Sequence, residues 1–353
     1  MAIALAHKQH PAVGTPKAAL PRVGFIGLGW IGHQRMRSLV ERRLVEAVAL
    51  ADPSAESLTR ARLDAPDAEV RDSLDDLIAC DLDGVVIATP SAFHASQARQ
   101  AVERGLSVFC QKPLGRSAKE TRQVVDTAEA HDRLLAVDFS YRHVLGLQKM
   151  REHVQEGRIG DVFAARAVFH NAYGPGRDWF YDRSRSGGGC VIDLGIHLVD
   201  VVLWTLGFPK LEQVTSRLYA GGRPYTEAEE AEEAVEDYAV ARLDLEGGAA
   251  AEIACSWNLS TGCDAVIEVD FYGTNGSVSL RNVDGSYVDF IARHCRGRDE
   301  EIIAKPPDAW GGGAIVQWAE RLRESGRFDA SVREAVDVAE ALDAIYSNGI
   351  SKS

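Results

Sequence analysis

The stretch "RVGFIGLGWIG", Arg22 to Gly32, constrains the fold more than any other part of the chain. A short apolar run leads straight into Gly27-Leu28-Gly29-Trp30-Ile31-Gly32, and a helical pattern, "WIGHQRMRSLVERR", follows at once. Glycines at this spacing between strand and helix each have a mechanical role. Gly27 permits a tight turn, Gly29 lets the backbone approach a pyrophosphate, and Gly32 lets helix and strand pack closely. The helix N-terminus then offers free N–H groups and a positive dipole end to phosphate. A second apolar run, "VEAVALAD", ends in Asp52, 20 residues beyond Gly32, where a carboxylate accepts hydrogen bonds from a ribose diol. Together these features predict a dinucleotide site containing Gly27, Gly29, Trp30, Ile31, Gly32 and Asp52. A carboxylate at 52 repels a 2′-phosphate, so NAD is favoured over NADP, although Arg60 and Arg62 could fold back toward it.

The alternation continues through "LDGVVIATP", "SAFHASQARQAVERG", "LSVFCQKP", "SAKETRQVVDTAEAHD" and "RLLAVDFSYR". Near-continuous apolar strands separated by helices mean a parallel sheet covered on both faces, an α/β Rossmann-type domain over residues 21–141. Ser117, three before Glu120, marks one helix start, and Ser331 with Glu334 marks another. After Tyr141 the rhythm changes. A helix near 143–156 leads into "DVFAARAVFH", and past Lys210 strands dominate. "DAVIEVDF" places Ala265, Ile267, Val269 and Phe271 on one face. The expectation for 142–353 is an α+β domain with a large, mostly antiparallel open sheet. The acidic run "TEAEEAEEAVED", which opens at Thr226 with its acidic part at 227–237, reads as a solvated loop, and residues 1–20 read as a flexible tail.

At 353 residues the chain is too long for one ordinary core. A net charge of −13 argues against nucleic-acid or anionic-membrane partners, which need basic patches. No apolar run reaches the length needed to span a bilayer. Six scattered cysteines without metal-ligand spacing suggest a reducing cytoplasm and no metal site.

Ligands of open α/β sheets bind outside the carboxyl ends of the strands. One strand there ends in Thr89-Pro90 with His94 just beyond, and another in Gln111-Lys112-Pro113. These add Thr89, Pro90, His94, Gln111 and Lys112 to the cofactor-binding set. Pro113 biases Lys112 toward an extended or turn conformation, from which its side chain can leave the strand end. His94 is equally well explained as packing at a helix start. In "SGGGCVIDLGIHLVD", Asp193 and His197 stand four apart, on one face of a helix, after Gly187–Gly189. The glycines would let the backbone come close to a ligand. On its own, the pair is equally a helix cap and a satisfied interior histidine.

These motifs in this order, GLGWIG, Asp52, "ATPSAFH", "QKP" and "DWFYDRSRSGGGCVIDLGIHLVD", resemble the Gfo/Idh/MocA family of NAD(P)-dependent oxidoreductases, from about Arg22 to the C-terminus. The resemblance implies a Rossmann domain followed by a domain whose open sheet forms a homodimer or homotetramer interface. It implies Lys112, Asp193 and His197 as catalytic residues acting on a sugar, cyclitol or related polyol. His197 would take the hydroxyl proton, Asp193 would hold substrate or orient the imidazole, and Lys112 would donate to the reacting oxygen. One departure is plain: the family's Glu before the lysine is Gln111, which keeps hydrogen-bonding capacity but carries no charge. Tyr141, Arg142, Arg177 and Trp179 are candidate substrate contacts, with Phe180, Tyr181, Arg183 and Arg185 beside them. The resemblance also admits an NAD-dependent glycosidase with transient oxidation and a non-catalytic nucleotide sensor.

Overall fold

The computed structural model describes residues 19–308 and 310–351, so all but the last two residues of the expected tail lie outside them. Six parallel strands form the first sheet: β1 (Arg22–Ile26), β2 (Glu46–Ala51), β3 (Glu69–Val70), β4 (Gly84–Ile87), β5 (Ser107–Cys110) and β6 (Leu135–Val137). Their order is β3-β2-β1-β4-β5-β6. The direction of progression reverses between β1 and β4, which opens a crevice at their carboxyl ends. Helices α1 (Trp30–Val40), α2 (Ala55–Asp64), α3 (Leu74–Ile78), α4 (Ser91–Glu103) and α5 (Ala118–Ala130) cover the sheet. α4 and α5 pack Ala98, Val102, Val124 and Val125 against Val85, Ile87 and Val108 on one face.

The second sheet has nine strands: β7 (Val162–Asn171), β8 (Leu211–Ala220), β9 (Arg223–Pro224), β10 (Tyr238–Leu245), β11 (Ala250–Ser256), β12 (Ala265–Gly273), β13 (Gly276–Asn282), β14 (Phe290–Arg296) and β15 (Asp299–Ala304). Their order is β15-β14-β13-β12-β7-β11-β10-β8-β9, antiparallel except where β7 and β11 run parallel. Ala265, Ile267, Val269 and Phe271 all face the core, as the period-two pattern requires. The inner face is covered by α6 (Leu145–Gln155), α8 (Ile196–Leu206) and α11 (Glu334–Gly349), while α7 (Arg183–Ser186) and α9 (Glu227–Ala231) are short connectors.

Four sequence expectations are corrected. The segment 142–353 does not keep to the second sheet. α10 (Gly313–Glu324) returns to the first and packs Ile315, Trp318 and Leu322 against Val23, Phe25, Val86 and Phe109. That apolar face is shared with α1, which leaves Val86 and Phe109 for α10 to cover. Ser331 caps nothing: Asp329 accepts from its N–H, and α11 begins only at Glu334. A full capping box does occur, in the acidic run, between Thr226 and Glu229. Finally, the helical stretch Arg183–Leu206 is long and apolar enough to cross a bilayer, but most of its apolar window is buried inside the fold. Its apolar side chains pack between the second sheet and α11.

Trp318 is 1% exposed and lies against the Phe109 ring at 6.0 Å, with Gly84 giving its indole room. Trp318→Ala should therefore cost about 3–5 kcal/mol of unfolding free energy, read as a lowered urea midpoint at unchanged slope.

Candidate active site

At the end of β1 the chain turns through Gly27, whose φ is +82°, and a Cβ there would fall 2.5 Å from the Ala88 backbone. A Cβ on Gly32 would fall 1.9 Å from the Gly27 carbonyl oxygen, so close helix–strand packing also demands glycine. Gly29 differs: nothing lies within 4 Å of its Cβ position. Internal packing therefore gives no reason for glycine at 29, whereas a pyrophosphate approaching the α1 N-terminus does. The loop fits a dinucleotide. Asp52, at the end of β2, accepts from the N–H groups of Leu28 at 2.5 Å and Ser54 at 2.7 Å, which fixes its carboxylate beside the loop. Arg60 does fold back, donating to the Leu28 carbonyl at 3.0 Å, while Arg62 stays exposed. Trp30 is 76% exposed on the first turn of α1, next to the half-buried Ile31.

At the end of β4, Thr89 bonds Gln97 and Pro90 opens α4. His94 is buried with Nδ1 against the Pro113 carbonyl at 2.6 Å and Nε2 against that of Thr89 at 2.7 Å. Both ring nitrogens thus face backbone carbonyls, one of which takes the N–H of the neutral ring, and the residue braces the β4 end against the Lys112-Pro113 turn instead of reaching a ligand. Burial pushes this imidazole below its ordinary value.

Lys112 projects from the β5 end across to the second sheet's helices. Its Nζ donates to the Asp193 carboxylate at 2.8 Å and to the Asp193 carbonyl at 2.7 Å. The other carboxylate oxygen of Asp193 accepts from the Trp257 indole at 3.2 Å. Asp193 therefore does not orient His197. The segment Val191–Gly195 is a π-helical turn leading into α8, and the widened turn removes the one-turn stacking that regular helical spacing predicts. His197 is 8% exposed and its ring lies 4.8 Å from that of Tyr141. Burial, aided by the Lys112 and Arg35 cations, pushes it well below its ordinary value, so it is neutral at neutral pH. Its Nδ1 is buried without a partner, which leaves Nε2 as the nitrogen able to meet a ligand.

The three glycines before this helix serve packing instead of ligand approach. A Cβ on Gly188 would fall 1.9 Å from the Tyr346 hydroxyl, and one on Gly189 would fall 1.9 Å from the Glu236 carbonyl oxygen. Glu236 comes from the acidic run read as solvated, yet it is 0% exposed. Its carboxylate accepts from Gly189 N–H at 3.0 Å, Val191 N–H at 2.9 Å and Tyr346 Oη at 2.9 Å. It thus seats the turn that carries Asp193. Burial pushes its carboxyl up despite these donors.

Among the substrate candidates, Tyr141 lies beside His197, and burial pushes its hydroxyl up. Arg142 is a correction: its guanidinium forks onto buried Asp200, at 2.6 Å at the shortest, and onto Glu334 at 2.5 Å. That ion pair ties the turn after β6 to α8 and α11, leaving no fork for substrate. Trp179 stacks on Phe180 at 3.8 Å, and both Phe180 and Tyr181 present edges to Trp257. An aromatic wall therefore continues from the loop 178–181 to the Asp193 carboxylate. Arg177 and Arg185 are exposed, and Arg183 pairs with Glu230. Gln111 is buried and donates to Asp138, which the sequence reading passed over together with Arg35, Glu236 and Trp257. Only Glu236 left a trace in sequence, as an acidic residue two positions before an alternating strand.

Residues 21–139 match the profile of an oxidoreductase family with an NAD-binding Rossmann fold, and residues 147–279 match the GFO/IDH/MocA C-terminal domain. The chain is 33% identical over 187 residues to the rhizopine catabolism protein MocA of Rhizobium meliloti, a match covering 53% of this chain and 57% of that one. It therefore spans little more than half the length of that relative. It is 28% identical over 268 residues to D-glucoside 3-dehydrogenase of Escherichia coli K12, covering 73% and 76%. The structure of GenD2 from gentamicin A biosynthesis, in complex with NAD, superposes with a TM-score of 0.78 at 24% identity, covering 98% and 97%.

Two outcomes follow from the geometry. Glu236→Gln keeps the shape but replaces an acceptor with a donor facing N–H groups, so it should melt lower and lose about 10-fold or more in turnover, with NAD affinity nearly kept, as a displaced Asp193 requires. For His197, folding depresses the pKa, so the unfolded chain alone takes up this proton as pH falls below about 6.5. The parent should therefore lose more melting temperature between pH 7 and pH 5 than His197→Gln does.

Proposed function

The chain belongs to the Gfo/Idh/MocA family of oxidoreductases, and on that premise we propose that it moves hydride between NAD and a secondary alcohol or ketone of a sugar, cyclitol or related polyol. The observation that carries this reading is the Lys112 ammonium, held by Asp193 through two bonds beside a neutral, buried His197. When bound, NAD supplies the hydride-accepting ring, and the glycine loop with Gly29 and Asp52 are the residues that would hold it.

The remaining chemistry is proton management. Lys112 has three N–H donors, two of them given to Asp193, so one remains for a substrate oxygen. A hydrogen bond from that ammonium stabilises alkoxide charge as the carbinol loses its proton. His197 Nε2 is the acceptor for that proton, and its depressed pKa keeps it unprotonated and ready. In the reductive direction the same nitrogen returns the proton. Asp193 holds the lysine in place, and Trp257 holds Asp193. The Trp179, Phe180, Tyr181 and Trp257 rings offer apolar faces suited to a pyranose or cyclitol ring, and one relative bears the name D-glucoside 3-dehydrogenase.

We further propose a homodimer or homotetramer through the outer face of the second sheet. Val168, Val240 and Ala254 line a groove there, among Arg166, Arg217 and Arg242. The six free cysteines fit a reducing cytoplasm.

Purified protein incubated with NAD and a panel of inositols, aldoses, glycosides and sugar acids should raise nicotinamide absorbance on at least one of them. Lys112→Ala should lower that rate by about 100-fold or more while still binding NAD. Glycoside cleavage without net NADH would move the reading to a glycosidase. NAD binding without turnover in either direction would overturn it in favour of a sensor.

A further inference from the structure

Behind Lys112 lies a second polar cluster that the reaction scheme leaves unused. Gln111 donates its amide N–H to the Asp138 carboxylate, and the same oxygen accepts from Arg35 Nε at 2.5 Å. The Arg35 guanidinium also donates to the Gly311 carbonyl. Arg35 is 6%, Asp138 1% and Gln111 8% exposed. The cluster joins four parts of the chain: α1, which begins at the glycine loop; the β5 end that carries Lys112; the turn after β6; and the segment entering α10. Backbone bonds tie it to the sheet, with Gln111 N–H on Ile87 O and Asp138 N–H on Cys110 O, both at 2.9 Å.

As a source of stability this cluster is poor. Two charges are desolvated, and the second Asp138 oxygen is buried with no partner. Apolar side chains of similar volume would serve as well or better. Its polarity is nonetheless sharply specified. The group at 111 must donate, because an Asp138 oxygen already engaged by Arg35 faces it. A carboxylate there is acceptor-only and would set two anions against each other. An amide at 111 therefore matches a carboxylate at 138, and the Gln111 that departs from the family motif acquires a physical reason.

We propose that Gln111, Asp138 and Arg35 form one matched unit of positioning residues that sets the Lys112 ammonium on Asp193 and ties it to the helix receiving the cofactor phosphates. The unit acts through the backbone at 111–112 and touches no reacting atom. It rests on the role given to Lys112 above.

The test is a cycle of isosteric exchanges: Gln111→Glu, Asp138→Asn, and both together. The double variant carries the amide and the carboxylate in exchanged positions with the total charge kept. On the best substrate of the panel, each single variant should lose about 10- to 100-fold in kcat with a smaller rise in KM for NAD, and the double should recover both to within about 3-fold of the parent. The rate of Lys112 acetylation by acetic anhydride, followed by peptide mass, needs no turnover. It should rise several-fold in the singles, as the ammonium leaves Asp193, and return in the double. If a single variant does not fold, the melting temperature of the double decides: recovery supports the pairing, and a double no more stable than the poorer single overturns it. Additive losses in the double, or a Gln111→Glu variant with parental kcat and labelling, overturn it as well. Lys112→Ala separates this result from the functional reading. Full turnover in that variant removes the role of the lysine, while the melting cycle still reports whether the three side chains are matched.

Discussion

Lys112 gives two hydrogen bonds to Asp193, and through them the carboxyl end of the first sheet is joined to the head of α8 under the second. The pair bridges the two halves at the crevice where a parallel sheet binds its ligands. Both side chains are largely buried, at 16% exposure each, so neither charge can be left alone without a desolvation cost of several kcal/mol. Trp257 completes the arrangement by occupying the second carboxylate oxygen. With both oxygens committed, Asp193 has one orientation, and the lysine has one place to be.

Around this bridge the protein spends buried polarity to hold geometry. Glu236 accepts the first free N–H groups of the helix that carries Asp193, a strong position for an anion because those donors have no other partner. The Gln111–Asp138–Arg35 cluster stands behind the lysine, and the Arg142–Asp200–Glu334 ion triad ties α8 to the last helix. His197 is the exception. It is buried with an unpaired Nδ1 beside two cations, which keeps it uncharged. On the function proposed above, a neutral imidazole next to a fixed ammonium would divide the work: one group would accept a proton, and the other would stabilise the oxygen that loses it.

Residues whose role is local were legible in sequence. Gly27 and Gly32 are demanded by a turn and a close packing that strand–glycine–helix order already implies, and Asp52 stands directly after its strand, where the sequence order puts it. The alternation of Ala265 to Phe271 gave their common face, because a strand has a period of two. Misreadings arose where a side chain's partner lies far along the chain. Arg142 has the composition of a substrate clamp, and only the placement of Asp200 and Glu334 shows it to be spent. Glu236 is one acid among many in its run, distinguished only by Gly189, Val191 and Tyr346 closing over it. In sequence the glycines at 187–189 suggest the approach of a ligand, because nothing nearby hints that Tyr346 and Glu236 need the room beside Gly188 and Gly189.

By itself the sequence determined the alternation that makes a parallel sheet, the dinucleotide loop with its acid, the change to alternating strands after Tyr141, and the Lys, Asp and His of the crevice. These follow from short-range periodicity and from residues whose backbone or chemical requirement is met within a few positions. Tertiary structure alone decided that Asp193 pairs with Lys112 and not with His197, that α10 returns to cover the first sheet, and that one acid of the acidic run is buried. The reason is physical. A π turn, a returning helix and a buried carboxylate are each selected by desolvation and packing among segments tens to hundreds of residues apart, and no local pattern records which distant group will satisfy them.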